Sequence, residues 1–259
     1  MISRIGRRFG ALRKENKKAF IPYIMAGDPD LSRTGEMIKI LEECGADIIE
    51  LGVPFSDPLA DGPTIQAAAQ RALECGVTLH SVIDFVSSLR SSTQVPIILM
   101  TYYNPIFKYG LEKFVDDCVA AGVDGIIVPD LPPDEAEEII KLSSDRPFDT
   151  IFLLAPTSTD LRIKKVSSAS KGFIYYVSMT GITGSKLTID PATREHFEKI
   201  RTVSKKPIAV GFGVSTPDEA ALISGFADGV IVGSAIVKKI SSTDSEIRAY
   251  LRSLRDAIK

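Results

Sequence analysis

Short apolar runs rich in Ile and Val recur along the chain, each followed by turn residues and then by apolar positions at the 3.6-residue spacing of a helix. The runs predict strands over Ile21–Met25, Asp47–Leu51, Pro96–Thr101, Gly125–Val128, Thr150–Leu154, Phe173–Val177, Ile208–Val210 and Gly229–Val232. Helical spacing predicts segments near Leu31–Cys44, Pro63–Glu74, Leu79–Leu89, Leu111–Ala121, Asp134–Leu142, Leu161–Ser168, Ala192–Val203, Pro217–Ser224 and Ser245–Ala257. The basic run from Arg4 to Lys18 alternates with apolar residues and reads as an amphipathic helix face. Strands alternating with helices imply parallel pairing through right-handed crossovers, and eight strands predict closure. The expected fold is α/β, a (β/α)8 TIM barrel with an extra N-terminal helix and long loops after strands two and six. It fills residues 1–259 as a single domain, since no tether-like segment divides the chain. The stretches CGADIIELG, AGVDGIIVPD and FADGVIVGS reuse one corner: a small residue ending a helix, an Asp, then an Ile/Val run stopped by Gly or Pro.

Composition narrows the classes. A formal net charge of -2 leaves no field for nucleic acid, so no nucleic-acid partner is expected. No apolar run approaches the roughly 18 residues of a membrane span, and charges stand where a signal peptide needs its apolar core, so a cytoplasmic protein without a membrane partner is expected. Cys44, Cys75 and Cys118 lack metal-ligand spacing and read as buried small residues before glycine. His80 and His196 are isolated, and no metal site is expected.

The candidate chemistry centres on ELGVPFSDPLADGPTIQ, residues 50–66. Glu50 ends a strand that is apolar on both faces, and an ionised carboxylate there costs several kcal/mol unless partnered, so a chemical role is favoured. Asp61 lies in the Pro/Gly-rich loop that follows, with a helix N-cap as the structural alternative. Chemistry in such barrels collects at the carboxyl ends of strands. There, the loop after strand six carries Gly181 and Gly184 and, like the loop after strand two, reads as a lid. Gly211-Phe212-Gly213 and Gly233-Ser234 end strands seven and eight, where glycines and a helix opening near Ser234 suit a phosphate.

With these residues placed, the chain resembles the tryptophan synthase alpha chain family. PYIMAGDPD, ELGVPFSDPLADGPTIQ, YYNPIF, VPDLPP, SMTGITG, GFGVST and GSAIVK carry the resemblance, in order, along nearly the whole chain. It implies retro-aldol cleavage of indole-3-glycerol phosphate to indole and glyceraldehyde 3-phosphate, in the last steps of tryptophan biosynthesis. That reaction needs protonation of indole C3, removal of the N1 proton and removal of a hydroxyl proton. The resemblance implies Glu50 as the acid/base at C3 and the hydroxyl, and Asp61 as acceptor from N1–H. It further implies an indole slot from Tyr23, Ile65, Met100, Leu154 or a neighbour, and Phe212. Tyr175 and Thr183 would support the glycerol and acid/base positions, with phosphate against Gly184, Gly213, Gly233 and Ser234.

No cofactor is implied in this chain; pyridoxal phosphate belongs to the beta chain, the partner in an αββα heterotetramer. The implied docking surface comprises Pro54 to Asp57, Asn104 to Phe107, and Pro132-Pro133. Among rival readings, a sugar-phosphate isomerase on the same barrel has no use for ADGPTIQ, and a non-catalytic regulatory subunit has no use for both acids. A free-standing lyase would use the same acids without the partner.

Overall fold

The computed structural model describes residues 2–177, 191–211 and 213–259. In chain order they form α1 (Arg4–Lys14), β1 (Ala19–Met25), α2 (Leu31–Glu43), β2 (Ile49–Gly52), α3 (Pro63–Glu74), α4 (Leu79–Leu89), β3 (Ile97–Met100), α5 (Tyr103–Tyr109), α6 (Leu111–Ala121), β4 (Gly125–Ile127) and α7 (Glu137–Ser143). The second half continues with β5 (Asp149–Ile151), β6 (Leu153–Leu154), α8 (Asp160–Ala169), β7 (Ile174–Val177), α9 (Pro191–Val203), β8 (Ile208–Gly211), α10 (Pro217–Ser224), β9 (Gly229–Val232), α11 (Ser234–Val237) and α12 (Asp244–Ala257). Every registered strand pair is parallel, in the order β5-β4-β3-β2-β1-β9-β8-β7-β6. The expected strand over Thr150–Leu154 is present as two pieces, β5 and β6, interrupted at Phe152. Because β5 pairs with β4 and β6 with β7, the ring closes through that stretch as a (β/α)8 barrel.

Strands covered on both sides must be apolar on both sides, which is why they read as continuous runs. Successive side chains then divide between two cores. Phe20, Ile24, Leu51 and Leu99 pack outward against the helices. Ile21, Ile48, Ile98, Ile127, Ile151, Ala209 and Ile231 pack against one another inside the ring. Ile5, Phe9 and Leu12 of α1 join that inner cluster, so the N-terminal helix plugs the end of the barrel where the strands begin.

Several local expectations are corrected. α1 stops before Lys18 because Asn16 takes a left-handed φ of 54° and Lys17 N–H turns back to the Leu12 carbonyl at 2.8 Å. YYNPIF is not an open loop: α5 occupies it, with Pro105 in the first turn, where its missing N–H leaves no bond unmade. α7 begins at Glu137, not Asp134, since the chain after the two prolines first makes a turn from Glu135 N–H to the Pro132 carbonyl. Cys75 is exposed, its thiol donating to the Pro29 carbonyl at 3.1 Å, whereas Cys44 and Cys118 are buried as expected. The loop with Gly181 and Gly184 lies outside the described residues. Among those described, no single helix is long and apolar enough to cross a membrane.

The repeated Asp before an Ile/Val run has a physical purpose. Asp47, Asp124 and Asp228 each engage one residue of the neighbouring strand twice, through backbone N–H to its carbonyl and through the carboxylate to its N–H. The residues gripped are Phe20, Ile97 and Ile208, at carboxylate distances of 2.7, 2.9 and 2.9 Å. Each carboxylate also meets guanidinium: Arg8 at Asp47, Arg4 and Arg90 at Asp124, Arg201 at Asp228. The basic N-terminal run therefore fastens α1 to the barrel floor. Asp124→Ala strands the half-buried Arg90 and releases Ile97 N–H, so we expect a loss of about 3–5 kcal/mol in urea unfolding. A loss below about 1 kcal/mol would mean that the staple contributes little.

Candidate active site

Glu50 of β2 follows Ile48, the residue just before the strand, by two positions and so shares its inward face, toward the carboxyl end of the barrel. Tyr23 of β1 and Ile98 of β3 stand beside it in register. The side chain is 1% exposed, and among the described residues neither carboxylate oxygen has a hydrogen-bond partner. Burial, with the charge of Asp61 adding to it, pushes the Glu50 carboxyl up to about 8. The group therefore holds its proton at neutral pH and titrates where an acid/base is useful.

Asp61 is not an N-cap. Gly62 holds that position before α3 without a side-chain bond, and Pro63 opens the helix. The Asp61 carboxylate instead accepts from the Tyr102 hydroxyl at 3.1 Å, and Gln66 Nε2 donates to its backbone carbonyl at 2.8 Å. Burial raises the Asp61 carboxyl while the phenol donor opposes that shift. Two acids in one mouth thus have different supports, one unpartnered and one held.

Tyr23 and Tyr175 are buried beside these acids. Both phenols are pushed well up, first by burial and then by the carboxylates, Asp61 leading for Tyr23 and Glu50 for Tyr175. Two glycines make room for them. A Cβ at Gly52 would stand 2.1 Å from Tyr23 Oη, and one at Gly211 would stand 2.3 Å from Tyr175 Oη.

Of the remaining expected slot residues, Met100 ends β3, half-buried between the two cores. Ile65 is half-buried in the first turn of α3, packed on the outer cluster. Leu154 faces outward and its neighbour Leu153 faces the inner cluster, so Leu153 is the side chain on the interior face. Thr183, Gly184 and Phe212 lie outside the described residues.

At the glycine rim, Gly213 adopts a φ of 78° that favours glycine, and Gly233 precedes α11. Each stands two residues beyond the register pair Gly211 and Ile231, so β8 and β9 bring them to adjacent strand ends. α11 is a single turn, Ser234–Val237, with Ser234 exposed. What it offers an anion is mainly backbone N–H groups, since so short a helix sums few peptide dipoles.

On the same rim, Phe107 is 64% and Leu59 94% exposed, while Ser56 and Asp57 are also open. Pro54 and Ile106, expected on a docking surface, are buried and support it from beneath; Pro132 and Pro133 are half-buried. Leu59 and Tyr102 escape a reading of the sequence alone, whereas Leu153 is the neighbour of Leu154 that the expected slot allowed. Parity along the strand from Ile151 would have marked Leu153; no local signal marks the Tyr102 contact, which is tertiary.

The comparisons with known proteins agree with this geometry. The family model described as tryptophan synthase alpha chain matches residues 9–258. The tryptophan synthase alpha chain of Geobacter sulfurreducens is 48% identical over 262 residues, covering 99% of each chain. That of Geotalea uraniireducens is 50% identical over 260 residues, covering 100% of this chain and 97% of its own. Among solved structures, tryptophan synthase subunit alpha from Legionella pneumophila superimposes with a TM-score of 0.91 at 38% identity, covering 100% of this chain and 99% of that one. The aminoacrylate-bound form of tryptophan synthase from M. tuberculosis gives 0.90 at 38% identity, covering 99% of this chain and 100% of that one. With the barrel, the buried acid at the end of its second strand and these relatives all in agreement, the chain belongs to the tryptophan synthase alpha chain family.

Proposed function

We propose that Glu50 and Asp61 carry out in this chain the lyase reaction of its family, cleavage of indole-3-glycerol phosphate to indole and glyceraldehyde 3-phosphate. Protonated Glu50 delivers its proton to indole C3, and the positive charge that forms spreads to N1, whose N–H is accepted by ionised Asp61. Glu50, now a carboxylate, takes the proton from the hydroxyl of the glycerol chain adjoining the ring. The carbon–carbon bond breaks, its electron pair returns to the ring, and the hydroxyl-bearing carbon leaves as the aldehyde. One carboxyl thus serves as acid and then as base, regaining its proton at the end of the cycle. The observation that carries this reading is the buried carboxyl of Glu50 at the carboxyl end of β2, unpartnered among the described residues.

The substrate slot is assigned to Tyr23, Met100, Leu153 and Tyr175, with Ile65 bordering it from α3; Phe212 and Thr183 are assigned by sequence resemblance. The phosphate is assigned to the backbone around Gly213, Gly233 and Ser234, with Gly184 again by resemblance. The ring of the substrate is its own electron sink, so the assignment calls for no cofactor in this chain. We assign pyridoxal phosphate to a beta-chain partner in an αββα assembly, docking against Phe107, Leu59 and Asp57. Two large apolar side chains exposed on this rim favour a partner there over a free-standing lyase. Three cysteines, all free, suit a cytoplasmic setting.

Glu50→Gln should lower indole release by about 10²–10⁴-fold, because Gln fills the same space and exchanges no proton. The same variant should be the more stable protein at neutral pH. Below about pH 4 both folded and unfolded wild type hold the Glu50 proton, whereas from there to about pH 8 only the folded state holds it. Wild-type stability therefore declines as pH rises through that window, and Gln removes the decline, a gain of about 3 kcal/mol at pH 7. A variant that keeps turnover, or that is less stable at pH 7, contradicts the assignment.

Adding a competent beta chain should raise the rate of indole formation from indole-3-glycerol phosphate, and Phe107→Ala should weaken that activation without abolishing cleavage by the isolated chain. Steady-state indole release with and without the beta chain measures both. A rate unchanged by the beta chain makes the free-standing lyase the better account.

A further inference from the structure

Tyr102 follows β3 and precedes α5, outside both the strand pattern and the assigned acids. It is 6% exposed, and it grips the loop between β2 and α3 at three places. Its ring lies against Phe55 with centroids 5.2 Å apart. Its hydroxyl accepts from Ala60 N–H at 2.9 Å and donates its single proton to Asp61 Oδ2 at 3.1 Å. Asp61 is also held through its main chain, its N–H donating to the Pro58 carbonyl and its carbonyl accepting from Gln66 Nε2.

Resting on the assignment of Asp61 to the substrate N1–H, we infer that Tyr102 is a positioning residue for the cleavage, occupying Asp61 Oδ2 so that Oδ1 is left to the substrate. Three points of attachment tie this Pro/Gly-rich loop to the end of β3, and the ordering they impose is complete before substrate arrives. The donated proton also favours the ionised carboxylate against the burial that would protonate it. The titratable groups facing Asp61 are Glu50 from β2, Tyr23 from β1, Tyr175 from β7 and Tyr102 itself; Asp130 faces Tyr102 from beyond β4. Glu50 and the buried phenols supply no positive charge, so loss of the Tyr102 donor leaves burial unopposed by any of them.

Tyr102→Phe keeps the ring and its stacking on Phe55 and deletes only the hydroxyl. We expect kcat for indole release to fall by about 10-fold to 100-fold, with KM changed by less than about 3-fold because the slot is untouched. The acid limb of the kcat/KM profile should move to higher pH, since Asp61 must be ionised and its stabilising donor is gone. Phe55→Leu, which removes stacking and keeps the hydroxyl, should lower kcat less and leave that limb in place; it also shows whether a looser loop alone mimics the effect. Unchanged kcat in Tyr102→Phe, or a loss of kcat with the acid limb unmoved, would overturn the inference while leaving the function intact, provided the wild type makes indole. A wild-type chain that makes none overturns the function reading and this one together.

Discussion

A carboxyl group with no hydrogen-bond partner among the described residues stands inside the barrel, and much of the molecule reads as support for it. Removing an ionised carboxylate from water without a partner costs several kcal/mol, and the cheaper solution is to keep the proton. Glu50 does so up to about pH 8 because it stands among apolar strands, with the charge of Asp61 discouraging a second negative group. The same feature that weakens the fold at this point gives it an acid ready at neutral pH.

The two ends of the barrel treat carboxylates in opposite ways. On the floor, Asp47, Asp124 and Asp228 are saturated with backbone N–H and guanidinium donors, and Asp149 accepts from Ser3 Oγ at 2.5 Å. At the mouth, among the described residues, Glu50 has no partner and Asp61 has one side-chain donor. Asp28, also near the mouth, is instead fully engaged by Arg71 through two bonds of 2.7 and 2.8 Å, tying the turn after β1 to α3. Paired acids fix the frame, while Glu50, the buried acid with neither oxygen paired among the described residues, is assigned to chemistry. That separation of stability from reactivity follows the division of labour expected between the two faces of a (β/α)8 barrel.

The pattern of the chain makes the barrel and its two acids legible because each rests on short-range information. Strands covered on both faces must be apolar throughout, and a lone Glu at the end of one breaks the pattern visibly. The Asp repeat is also visible, although its purpose is not: the residue each Asp grips lies on another strand, far away in sequence. Tyr102 fails for the same reason, since nothing in YYNPIF indicates a bond to a loop some forty residues earlier, an offset fixed only by strand order. Gly52 and Gly211 read as strand ends and are in fact the spaces into which Tyr23 and Tyr175 extend their hydroxyls. Pro54, by contrast, is placed on the docking surface by resemblance, and the packing of the loop buries it.

The central claim is that Glu50 is protonated in the folded chain at neutral pH. Infrared difference spectra of wild type minus Glu50→Gln, followed by pH titration, read that proton through the carbonyl stretch of the neutral carboxyl. The account predicts a protonated-carboxyl band at pH 7 that disappears as the pH passes about 8. A band already lost by about pH 5, in the ordinary carboxylate range, would show Glu50 ionised in the resting barrel and contradict the account.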